Sequence, residues 1–165
     1  MNWLTILILA YLAIGLQTGL SPLVRIGPAQ STGAEPNFGL LAVVFICLNA
    51  ERRAALIGAF FVGVFHDLAT QQPFGLFAFS YGLCALAITS LAPAVYKSHP
   101  LTHCSFALFG GCLTALVVWI NCQFHKTSVP AVATLGGVIY TAFLAPLVIA
   151  AAQRAQRLFV KSRRH

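Results

Sequence analysis

Acid is nearly absent from this sequence: Glu35, Glu51 and Asp67 are the three carboxylates, against ten Lys and Arg in 165 residues. Charged residues of both signs make up 8% and hydrophobic ones 59%, which leaves too little polar surface to solvate a globule and excludes a soluble fold. No Cys-x-x-Cys occurs among Cys47, Cys84, Cys104, Cys112 and Cys122, so these read as reduced, small apolar side chains rather than a disulfide framework. No stretch alternates polar and apolar residues, which argues against a membrane β-barrel. No fixed-period repeat occurs, so a repeat-built transporter gains no support, and no linker is long enough to join two domains. Nor is there a basic surface interleaved with aromatics, and nucleic acid is not an expected partner.

What the sequence does contain is apolar length. A hydrocarbon core about 30 Å thick needs roughly 20 helical residues. Six segments qualify as spans: Trp3 to Val24, Pro36 to Ala50, Ala54 to Ala69, Phe74 to Val95, Leu101 to Phe124 and Val129 to Ala152. The expected fold class is an all-α membrane protein, one integral membrane domain over residues 1–165 with a cytoplasmic basic tail at 153–165. The second span is the shortest and relies on polar residues at its end reaching the interface. The first has no Lys or Arg before it and no Ala-x-Ala after it, so it is read as a retained span rather than a signal peptide.

The cations set the topology. With the N-terminus in the cytoplasm, Arg52, Arg53, Lys97, Arg154, Arg157, Lys161, Arg163 and Arg164 all fall inside, and only Arg25 and Lys126 outside. Both termini are therefore expected in the cytoplasm. The cations after Ala152 can also meet anionic headgroups, so membrane lipids are expected partners. Trp3, Tyr96 and Trp119 fall near span boundaries as interfacial anchors, whereas Tyr81 and Tyr140 lie deeper, with hydroxyls expected on backbone.

The third segment has the most readable packing pattern. Ala55, Ala59 and Gly63 recur every four residues and one more step reaches Asp67, so a small-residue strip and a carboxylate share one face. That predicts a central helix in close contact with a neighbour, with Leu56, Phe60 and Phe61 off the strip. Gly110, Gly111, Gly136 and Gly137 offer further close-approach points, and Pro146 interrupts the sixth segment. Asp67 is costly at membrane depth, about 2.5 to 3.5 kcal/mol at the bilayer centre. It is either a proton, ion or substrate site or an acceptor for the backbone of the following turn, where Pro73 and Gly75 stand at loop-shaping positions. The second use is favoured.

Catalytic and metal patterns are weak. Neighbouring helical residues point about 100° apart, so Asp67 does not orient His66 as a base, and no nucleophile stands at fixed spacing. His99 and His103 have zinc-pair spacing but flank Pro100 and lack the carboxylate of the usual motif, so they read as loop histidines. Neither an enzyme, a cofactor nor a metal is expected.

The run from Gly63 through His66-Asp67 to Pro73-Phe-Gly75 and Tyr81 resembles the rod shape-determining MreD family. Its pattern is a glycine-led apolar helix ending in Asp, then five residues, Pro-x-Gly and another apolar helix. Pro36, the Arg52-Arg53 pair, the length and the six-helix plan also fit, while His66 and Gln71-Gln72 depart from the family's usual residues. The resemblance implies a non-catalytic subunit of the bacterial elongation complex in the cytoplasmic (inner) membrane. It would bind an MreC-like protein and, indirectly, MreB, RodA and a penicillin-binding transpeptidase, in support of lateral peptidoglycan synthesis. Gly63, Asp67, Pro73 and Gly75 would form the structural and partner-binding motif. The family's fold is also similar to the substrate-binding subunits of energy-coupling-factor vitamin transporters. That supplies an alternative function, for which Gln17, Thr18, Gln71, Gln72, Asn121 and Gln123 are candidate pocket residues.

Overall fold

The computed structural model describes residues 3–25, 33–70, 73–94, 99–125 and 131–162. Gln71, Gln72, Tyr96, Lys97, Lys126, Arg163 and Arg164 lie outside the described residues. The described residues form six α-helices and no β-strand: α1 (Trp3–Gly19), α2 (Phe38–Asn49), α3 (Arg52–Ala69), α4 (Leu76–Leu91), α5 (Pro100–His125) and α6 (Ala131–Ser162). A short 3-10 turn, Ala92–Ala94, extends α4. Leu101–His125 and Ala133–Arg154 are long and apolar enough to cross a membrane, while α1, α2 and α4 are shorter apolar helices.

The centre of the bundle is α2, not α3. This helix packs against each of the other five, and every residue from Phe38 to Leu48 is buried. The cause lies in its sequence, FGLLAVVFICL, which is apolar on every side and so has no face to turn outward. The expected central helix, α3, is one-sided. Its small-residue strip faces inward, while Phe60, Phe61, Phe65 and Leu68 are exposed on the other side. Around α2 the remaining helices pack in the order α1, α3, α4, α5, α6, each on the next.

Two local expectations also change. The chain stays helical through Ser162, ten residues past Ala152, where a tail from residue 153 was expected. The stretch AQRAQRL is rich in good helix formers and contains no breaker, so α6 continues. His103 is likewise no loop residue. Proline suits the first position of a helix, so α5 begins at Pro100 and His103 is buried in its first turns.

The glycines mark where elements touch. A Cβ on Gly111 would lie 2.8 Å from Cγ1 of Val138 in α6, and one on Gly110 would lie 3.1 Å from Leu40 of α2. Gly136 and Gly137 do not meet a helix. They receive the extended segment before α2, at Ala34 and at the carbonyl of Glu35. Pro146 lies within α6, and all five cysteines are free.

Candidate functional site

The first turn of a helix leaves N–H groups with no carbonyl of their own, and where that turn is buried water does not serve them. At the start of α4 a side chain from α3 takes this role. Asp67 is 4% exposed, and its Oδ2 accepts from the N–H of Gly75 at 3.0 Å and of Ala78 at 3.1 Å. Its Oδ1 accepts from the N–H of Phe77 at 2.9 Å. The negative group thus sits on the positive end of the α4 dipole. Gly75 turns the chain into position with φ of 95°, a left-handed conformation that glycine adopts without steric cost. Pro73 contributes its carbonyl, which accepts from the N–H of Leu76 at 3.2 Å.

One turn before Asp67 the two backbones meet. A Cβ on Gly63 would lie 2.6 Å from the carbonyl oxygen of Phe77 and 2.7 Å from the nitrogen of Ala78, so only glycine fits. Ala55 and Ala59, earlier on the same strip, are fully buried.

His66, beside Asp67, opens a second network toward the start of α2. Its ring stacks on Phe77 with centroids 4.1 Å apart and planes 4° from parallel. Its Nδ1 is 2.7 Å from the hydroxyl of Tyr81, and that hydroxyl donates to Oδ1 of Asn37 at 2.7 Å. The hydroxyl has one proton, already given to Asn37, so Nδ1–H of His66 is the donor in the other bond. Tyr81 therefore bonds side chains on two helices, where a backbone partner was expected. The hydroxyl of Tyr140 does bond backbone, the carbonyl of Val24 at 3.3 Å.

Asn37 is the hub. Its Oδ1 also accepts from the N–H of Leu40 at 2.9 Å and caps α2, while its own N–H donates to Oγ1 of Thr141 at 2.9 Å. The N–H of Phe38 donates to Oε1 of Gln17 at 2.8 Å. Residue 39 is glycine because a Cβ there would lie 2.9 Å from the Tyr81 hydroxyl. The twelve residues of α2 reach about 18 Å. A helix so short ends among its neighbours, and side chains from α1 and α6 serve its exposed donors. The sequence reading missed this hub, although Asn directly before an apolar helical run is a capping signal.

Among the described residues, the polar side chains considered for a small-molecule pocket do not converge. Gln17 is committed to α2, exposed Thr18 bonds the Ile14 carbonyl in its own helix at 3.0 Å, and Gln123 is exposed. Asn121 lines an open groove of about 360 Å3 with Pro73, Phe74, Gly75, Phe79 and Phe124. Near the same end, Arg25 and Glu35 pair at 3.2 Å and join the two ends of the segment between α1 and α2. Elsewhere, Arg52 and Arg53 open α3 in exposed positions, Arg154 is exposed on α6, and Arg157 and Lys161 fall in the same helix farther on.

Chemically, the corner consists of a carboxylate with both oxygens accepting backbone N–H groups and a glycine in backbone contact, joined by the motif Gly63, Asp67, Pro73 and Gly75. The family model described as rod shape-determining protein MreD matches residues 1–154, the whole of this architecture through Arg154. The chain belongs to the MreD family. Membership gives it a role in bacterial rod shape determination as a membrane protein. No curated protein and no solved structure matches the chain, and the likeness to vitamin-transporter subunits therefore draws no support.

Proposed function

We propose that this MreD-family protein is a non-catalytic, multi-pass subunit of the cell-elongation complex. In this reading it binds an MreC-like partner in the cytoplasmic membrane and, through it, serves MreB, RodA and a penicillin-binding transpeptidase during lateral peptidoglycan synthesis. The observation that carries the reading is the use made of Asp67. Its carboxylate is held by three backbone N–H groups, so the most expensive group in the membrane region acts as a structural clamp rather than as a proton or ion carrier. A fixed corner at Gly63, Asp67, Pro73 and Gly75 gives a partner's membrane segment a constant shape to recognise, where small-residue packing replaces a hydrophobic drive.

All six helices cross the bilayer in this proposal, as one domain with both termini in the cytoplasm. The bias of Arg52, Arg53, Arg154, Arg157, Lys161, Arg163 and Arg164 toward one side supports that orientation. Capture of the tagged protein from native membranes, with its companions identified, tests the function. Recovery of MreC-like and other elongation components is expected. Recovery of none of them, or of a retained small ligand instead, would count against the subunit role.

A further inference from the structure

The hydroxyl of Tyr81 has one proton for two neighbours, so its bonds to Asn37 and His66 cannot be set independently. We propose that the chain of Asn37, Tyr81 and His66 is a two-state relay that couples the start of α2 to the α3–α4 corner, its state being which ring nitrogen of His66 carries the proton. This coupling does not depend on which partner the corner meets. Oδ1 of Asn37 is committed as an acceptor, because the N–H of Leu40 reaches it at 2.9 Å, and turning the amide over would set its NH2 group against that N–H. The Tyr81 hydroxyl, 2.7 Å from the same oxygen, therefore donates to it and has only lone pairs left for His66. Nδ1, 2.7 Å from the hydroxyl, is then the protonated nitrogen of the neutral ring.

The opposite polarity starts from the same heavy-atom positions. With the ring proton on Nε2, Nδ1 becomes an acceptor and Tyr81 donates to it, but no proton then lies between the Tyr81 oxygen and Oδ1 of Asn37. Two oxygens 2.7 Å apart repel without one, so that contact opens and Asn37 is released from α4. Tyr81 is fully buried and His66 is 3% exposed, so bulk water supplies no substitute partner. Both ends of the relay bear on other elements. The His66 ring lies flat on Phe77, whose N–H is one of the three donors held by Asp67. The N–H of Asn37 holds Thr141 of α6, and the N–H of Phe38 holds Gln17 of α1. Linkage is reciprocal: a shift of the corner that turns the His66 ring favours release of Asn37, and a pull on the start of α2 favours the Nε2 tautomer.

The test is nitrogen-15 NMR of the full-length protein with labelled histidine, in lipid bilayers at about pH 9, where imidazole is ordinarily neutral. The His66 signals are those lost in His66→Gln. The wild type should carry its proton on Nδ1. The deciding variant is Asn37→Ser, because serine caps a helix as well as asparagine does but its hydroxyl ends one atom short of Oδ1 and no longer takes the Tyr81 proton. Tyr81 should then donate to His66, and the tautomer ratio should move about tenfold toward Nε2, the worth of one hydrogen bond. Asn37→Asp keeps the acceptor and should keep the proton on Nδ1. In a Tyr81→Phe background, Asn37→Ser should leave the ring unchanged, since the middle of the relay is gone. A passive network would loosen in Asn37→Ser without moving the ring proton. The inference is overturned by a proton on Nε2 in the wild type or in Asn37→Asp, by one that stays on Nδ1 in Asn37→Ser, or by an equal shift without the Tyr81 hydroxyl.

Discussion

The seams between α3 and α4 and between α5 and α6 both rest on glycine, but they are built differently. At the first, Gly63 lies against backbone, and Asp67 ties the end of one helix to the start of the next through three hydrogen bonds. At the second, Gly111 lies against the side chain of Val138, and a cleft of about 300 Å3 opens between the helices, lined by Cys112, Ala115, Leu116, Trp119, Thr134 and Leu135. With all six helices in the bilayer, as proposed, lipid tails as apolar as leucine would leave neither seam a hydrophobic drive. Backbone contact plus a buried polar clamp fixes one geometry, whereas contact through a side chain leaves room to repack. The shorter helices thus meet at the more strictly defined junction.

Gly63→Leu is the most severe way to break the first seam. A backbone cannot rotate aside as a side chain does, so α3 and α4 must separate, and Asp67 is pulled from its donors with them. A loss of about 3 kcal/mol or more is expected, at the upper end of overpacking costs, seen as a large drop in melting temperature in detergent. Unchanged thermal stability would show that the helices meet elsewhere.

Asp67→Asn comes next, because it keeps the shape and one acceptor oxygen but turns an NH2 group toward backbone donors. A loss of about 1 to 3 kcal/mol is expected, the cost of leaving a buried donor without its partner. The same variant should reduce recovery of elongation partners from membranes. Wild-type values in both measurements would mean that the clamp is dispensable.

How much of this junction could be read in advance depended on the range of the signal. The strip Ala55, Ala59, Gly63 and Asp67 follows from helical spacing alone, and all four residues are buried in the structure. The turn chemistry of Pro73 and Gly75 is equally local. Which helix lies at the centre is not local. Composition showed that the second segment was short and apolar but not that five helices would surround it, and the small-residue strip drew attention to α3 instead. The hub at Asn37 was harder still, since its partners Tyr81 and Thr141, and the Gln17 that serves Phe38 beside it, come from three other helices and no spacing links them. His66 was noticed as a departure from the family pattern, but its stacking on Phe77 depends on the way α4 is docked by Asp67 next door.

Gly111→Ala sharpens the comparison with the smallest effect. The new methyl would arrive 2.8 Å from Cγ1 and 3.3 Å from Cγ2 of Val138, which is too close for the present rotamer. A β-branched side chain is stiff at χ1, so relief has to come from a rotamer change or a small shift of α6. The cleft beside it, which includes Val138 in its wall, provides the space. Against that cost stands a gain, because alanine loses less conformational freedom in a helix than glycine by roughly 0.5 to 1 kcal/mol. The net change should fall within about 1 kcal/mol of zero, a melting temperature close to that of the wild type. If Gly111→Ala proved as damaging as Gly63→Leu, the α5–α6 seam would be as rigid as the clamped one, and the contrast between backbone and side-chain contact would fail.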